Sequence, residues 1–98
     1  MRIWTGVDAP ALRALRDGSA LGGTPVRAAS EDEQDEHDAL LAAAEDGPVV
    51  VVAEVADGAE VDLDSVEAFH VDADGSGVLA WYATQELDAV LAVLDAGR

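Results

Sequence analysis

His37, His70, the run Asp72-Ala73-Asp74-Gly75-Ser76-Gly77 and the stretch Trp81-Tyr82-Ala83-Thr84-Gln85 hold the side chains that could do chemistry in this sequence. His70 and Asp72 stand at i, i+2, so a strand puts both on one face. In that pattern a carboxylate can orient an imidazole as a general base. Ser65, Tyr82 or Thr84 would be its partner, yet no G-x-S-x-G or comparable setting marks a nucleophile. The competing reading, a half-buried and hydrogen-bonded histidine between strands, needs fewer assumptions. His37 stands at the wet end of an apolar helix stripe, where packing accounts for it. Two histidines without ligand spacing do not make a zinc site.

The run 72–77 reads D-x-D-x-S-G, the first half of an EF-hand calcium loop, in which hard oxygen ligands alternate along the chain. The second half fails. Ala80 and Ala83 stand at its ninth and twelfth positions, so the bidentate glutamate is missing. A polar hairpin turn explains the same residues, because Asp, Gly and Ser close turns by local hydrogen bonds. The expectation is therefore no catalytic set, no metal and no cofactor. Any site that exists is expected where His70, Tyr82, Thr84 and Gln85 come together.

The elements that must position these residues follow from periodicity. Residues 2–7 alternate as a strand. Asp8 caps a first helix, with Pro10 in its opening turn and Leu12 and Leu15 on one face, and the helix runs to about Arg16 before Gly18. Residues 24–29 read as a second short strand. A capping box at 30–33 opens a second helix that ends near Asp46, with His37, Leu40, Leu41 and Ala44 as its apolar stripe. Four consecutive valines in 49–55 make a central strand buried on both faces. Asp64 caps a single helical turn over 65–68. Strands at 69–71 and 78–83 flank the polar turn as a hairpin, placing Trp81 in the core and leaving Tyr82 open. Thr84 caps a third helix, which carries Leu87, Val90, Leu91 and Leu94 and stops at Gly97. The fold class is α/β (α+β). It is a single domain over residues 1–98 with a mixed sheet of about five strands, parallel early and antiparallel late, and three helices packed on it.

Charge excludes whole classes of function. Five Lys+Arg stand against 21 Asp+Glu, a net charge of -16, and all five cations are arginines. Affinity for nucleic acid comes mainly from cations meeting phosphates, so direct binding to DNA, RNA or an anionic membrane is not expected. The chain has no cysteine, which removes disulfides, thiol catalysis and Cys-bound zinc. No run reaches the length of a membrane span, and the opening residues lack a signal-peptide core, so the expectation is a soluble cytoplasmic protein. A composition rich in Ala, Asp, Val, Gly and Arg and free of Lys fits a GC-rich genome better than a high-salt cytoplasm.

Several segments resemble an uncharacterised actinobacterial family, a domain of unknown function with MRV-Y, EEEELEYAAL, VVVAADV, VHVDD and LLWYATQEL-type segments. The matching pieces are Met1-Arg2-Ile3-Trp4, the helix at 31–44, the strand at 49–55, Phe69-His70-Val71-Asp72 and the stretch from Leu79 to Leu87. The chain looks like a shortened member, without segments before the first valine strand and after the VHVDD strand, and with His37 where the family has Tyr. The resemblance implies a cytoplasmic actinobacterial protein and carries no activity.

The largest charge feature is the acidic opening of helix 2: Glu31, Asp32, Glu33, Asp35 and Glu36, of which Glu31, Asp32, Asp35 and Glu36 are the candidate interaction residues. Such a surface favours the helix dipole and steers association with a cationic partner. The leading expectation is a small acidic, non-catalytic binding or regulatory protein that docks a basic protein partner, with a homodimer as one way to enlarge a small core. The alternatives are a DNA mimic that occupies a DNA-binding protein, and a small ligand-binding or enzymatic domain using His70 and the start of helix 3.

Overall fold

The computed structural model describes residues 1–73 and 75–96. The chain runs β1 (Arg2–Val7), α1 (Ala9–Arg16), α2 (Glu33–Ala44), β2 (Val49–Glu54), a 3-10 turn (Leu63–Ser65), β3 (Val66–Val71), β4 (Ala80–Ala83), a second 3-10 turn (Thr84–Glu86) and α3 (Leu87–Ala96). The sheet has four strands in the order β1-β2-β3-β4, and every neighbouring pair is antiparallel.

This corrects the expectation of five mixed strands. Residues 24–29 contribute one isolated bridge, in which Trp4 and Val26 exchange backbone hydrogen bonds of 3.0 and 2.7 Å. Pro25 supplies no donor beside Val26, so the ladder stops there. The segment instead carries the chain around the outer edge of β1, from the face covered by α1 to the face covered by α2. With two helices on opposite faces between β1 and β2, the single-helix crossover of a parallel unit is absent.

The valine run lies in a central strand, as its composition predicts. Val49 and Val51 join Ile3, Val7, Phe69 and Val71 in the main core. Leu12 and Leu15 of α1 and Leu87, Val90 and Leu91 of α3 close that core. Arg13 pairs with Asp95 across the two helices. Val50 and Val52 face the other way, against Trp4 and against Ala39 and Ala43 of α2. Helix α1 follows its signals closely. Asp8 caps it by accepting from the Ala11 N–H at 3.1 Å, and Gly18 beyond its end has φ +102°.

Other caps differ from the sequence reading. Asp32 caps α2, two residues after the Ser30 cap of the expected box. The Ser30 hydroxyl accepts from the Asp32 N–H and donates to the Asp35 carboxylate. Asp62, rather than Asp64, caps the turn before β3, which accordingly begins earlier than expected, at Val66. Thr84 donates its hydroxyl to the Val66 carbonyl at 2.8 Å, and the Glu86 carboxylate accepts from the Ala83 N–H at 2.9 Å. The stop expected at Gly97 lies outside the described residues.

The apolar stripe of α2 flanks its sheet-facing side: Leu40 and Ala44 are partly buried against the cluster of Trp4, Val50 and Val52, while His37 is exposed and Leu41 is 46% exposed. Ala39 and Ala43 are buried against the sheet. The cause is a close approach. A Cβ on Gly6 would lie 1.9 Å from the Ala43 carbonyl oxygen, and one on Gly47 would lie 2.4 Å from the Val7 carbonyl oxygen. At this close approach the fully buried α2 residues are the alanines Ala39 and Ala43, and Leu40 packs at the flank.

Candidate functional site

The two faces of the sheet are unequally covered. Helices α1 and α3 cover one face, and α2 alone packs on the other, over β1 and β2. On the α2 face, β3 and β4 present Ala68, His70, Trp81 and Ala83, paired in register as Ala68↔Ala83 and His70↔Trp81. Trp81 is 62% exposed there. The core role expected for Trp81 is therefore overturned. Tyr82 pairs with Phe69 on the opposite face and packs against the main core. Alternation along a strand puts neighbours on opposite faces, and the pairing with β3 decides which goes where.

Between α2 and this bare half-sheet lies a groove of about 360 Å³, a size within the range of sites that bury small ligands or anchor side chains. Trp4, Val52, Ala68, His70 and Trp81 line it from the sheet, and Glu36, His37 and Leu40 from α2. Arg2 and Glu67 close one end. The Arg2 guanidinium lies 2.9 Å from both the Glu67 and the Glu36 carboxylates. It is held above its ordinary pKa first by the hydrogen bond to Glu67 and then by that group's charge, with Glu36 adding to both. Farther along α2, Leu41, Ala44 and Glu45 face Leu79, Asp72 and Gly75 across a second hollow of about 440 Å³.

His70 is half-buried in the floor, and among the described residues no hydrogen bond reaches its ring. Burial pushes its pKa below the ordinary 6.5. The titratable groups lining the same groove are Arg2 from β1, Glu36 and His37 from α2 and Glu67 from β3. Below pH 6.5 the unfolded chain binds a proton that folded His70 resists. Stability should therefore fall as pH drops from about 6.5 through the lowered folded value, with no contribution above. The difference in unfolding free energy between the native protein and His70→Gln, followed by urea denaturation, should be flat above neutrality and decline in acid. A difference that stays flat down to about pH 5 would contradict this assignment.

The residues expected to form one site are separated. His70 lies on the α2 face and Tyr82 on the other, Thr84 is bonded to the Val66 carbonyl and Gln85 is exposed. Asp72 lies beyond the end of β3 and does not orient His70. Its two carboxylate oxygens accept the N–H groups of Gly75 at 2.8 Å and Gly77 at 3.0 Å, closing the turn. Asp74 lies outside the described residues, and among those described no group of three or more His, Cys, Asp or Glu could hold a metal ion. Of the acidic cluster, Asp32 caps α2, Asp35 accepts from Ser30, Glu36 pairs with Arg2 and Glu31 is exposed. Sequence reasoning missed Arg2, Glu67 and the lateral role of Leu40 and Leu41. The α2 stripe signalled the last two, but it reads equally well as core.

No family model, curated protein or solved structure matches the chain. Among the described residues no helix is long and apolar enough to cross a membrane.

Proposed function

We propose that this protein is a small non-catalytic docking module that binds a basic protein partner through the groove beside α2. The observation that carries this reading is Trp81. A large aromatic stands 62% exposed on the edge strand of the groove floor, beside His70, in a chain with only four aromatic residues. Tryptophan is enriched among the residues that dominate binding energy, and exposed apolar ground ringed by polar groups is the usual form of an interaction site. The net charge of -16 selects a cationic partner and steers its approach.

The alternatives have less support. A mimic of DNA needs a row of free carboxylates, whereas three of the five in the acidic opening of α2 (Asp32, Asp35 and Glu36) are tied to a cap, a hydroxyl and Arg2. An enzyme built on His70 would need an orienting carboxylate and a nucleophile, but the groove's two carboxylates, Glu36 and Glu67, pair with Arg2, and among the described residues no hydroxyl, thiol or amine side chain lines it. The experiment is affinity capture with the native protein and with Trp81→Ala, at low and high salt. Basic proteins should be retained at low salt, released at high salt and lost with Trp81→Ala. Retention of no basic protein, or retention indifferent to Trp81, would overturn the proposal.

A further inference from the structure

The shape of the uncovered ground specifies what kind of segment fits it. Strands lie about 4.8 Å apart, and packed helices lie about 8–10 Å apart, so two helices cover four strands. One face of this sheet carries its pair, α1 and α3, while the other carries only α2 over β1 and β2. The bare lane over β3 and β4 has the width of one helix. Its side wall is equally specific. His37, Leu40, Leu41 and Ala44 recur at helical spacing along α2 and border the two hollows beside it, although the sheet itself is met by Ala39 and Ala43. A helix with an apolar flank turned toward a bare lane is built to pack against another helix. At one end Glu36 and Glu67 flank Arg2, two carboxylates on one guanidinium, and Glu45 and Asp72 stand at the other.

Resting on the docking function proposed above, we infer that the occupant of this lane is an amphipathic α-helix of the partner, about as long as the 12-residue α2. It lies beside α2 with its apolar stripe on Trp81 and Leu40 and its Lys or Arg residues toward Glu45 and Asp72. Addition of an extended strand fits poorly. The free edge, β4, is four residues long, and the Ala83 N–H is already taken by Glu86. A second copy of this chain fits poorly too, since each copy carries -16 and the lane-to-lane contact would oppose two acidic helices.

The test is selection of a random 18-residue peptide library displayed on phage against the intact protein. Recovered binders should be net basic, with apolar residues recurring every three to four positions. Their synthetic peptides should bind Trp81→Ala and, independently, Leu41→Lys at least tenfold more weakly. Both replaced side chains are exposed, and unchanged thermal unfolding confirms that each variant is folded. Basic binders with strictly alternating apolar residues, still dependent on Trp81, would overturn the helical occupant and leave the docking function standing. Failure to recover basic binders, or binders indifferent to both substitutions, would overturn both. Sedimentation that shows a dimer of the protein alone, dissociated by Leu41→Lys, would assign the lane to a second copy and overturn the inference.

Discussion

Gly6→Ala should lower stability by about 3 kcal/mol or more, a large share of the 5–15 kcal/mol that holds a typical domain folded. Gly6 is absent from the positive-φ glycines, so conformational freedom is not the reason for it. The reason is space. The added Cβ would meet backbone of Ala43 at 1.9 Å, and backbone cannot rotate away as a side-chain tip can. Helix α2 would have to lift from β1, breaking the packing of Ala39 and Ala43 on Trp4, Val50 and Val52. Gly22→Ala is the matched control, since a Cβ there meets nothing within 4 Å. It should change stability by no more than about 0.5 kcal/mol. Urea midpoints for the two variants check both values, and a Gly6→Ala protein as stable as the control would refute the close approach.

Trp81→Ala should have the opposite profile: little effect on folding and a large effect on binding. An exposed strand residue away from core packing costs at most about 1 kcal/mol when truncated. An anchor at the centre of an interface costs about 2 kcal/mol or more, roughly a thirtyfold loss of affinity. Phe69→Ala, in a fully buried neighbour on the other face, should instead cost about 3–5 kcal/mol of stability. The pair separates a side chain kept for packing from one kept for contact. Thermal unfolding and isothermal titration with a selected peptide give the two readouts. A Trp81→Ala protein that unfolds like Phe69→Ala would show that Trp81 belongs to the core after all.

The locally encoded parts of the fold were legible. Asp8 and Pro10 set the start of α1, and the valine run set a strand buried on both faces. The polar turn after β3 is closed by Asp72 as its composition suggested. What depended on distant partners was not legible. The antiparallel direction of β1 and β2 follows from the path of residues 24–28 around an edge, which has no local signature. The facing of Trp81 and Tyr82 hangs on a register set by β3. The rotation of α2 depends on Gly6, 37 residues before Ala43. For the site, His70 was visible as a candidate, but the groove around it was assembled by Arg2, Glu67 and Leu40 from three different elements. The stripe at 37, 40, 41 and 44 is legible from its period, but amphipathic spacing marks a face to be covered without saying what covers it.

The most direct measurement places a photoreactive phenylalanine at position 81 and a second, separately, at Arg16, which is exposed on the α1 face. Irradiation in the cells that make the protein should give a covalent adduct to a basic protein from position 81 and none from position 16. Adducts absent at 81, or equal at the two positions, would contradict a docking site beside α2.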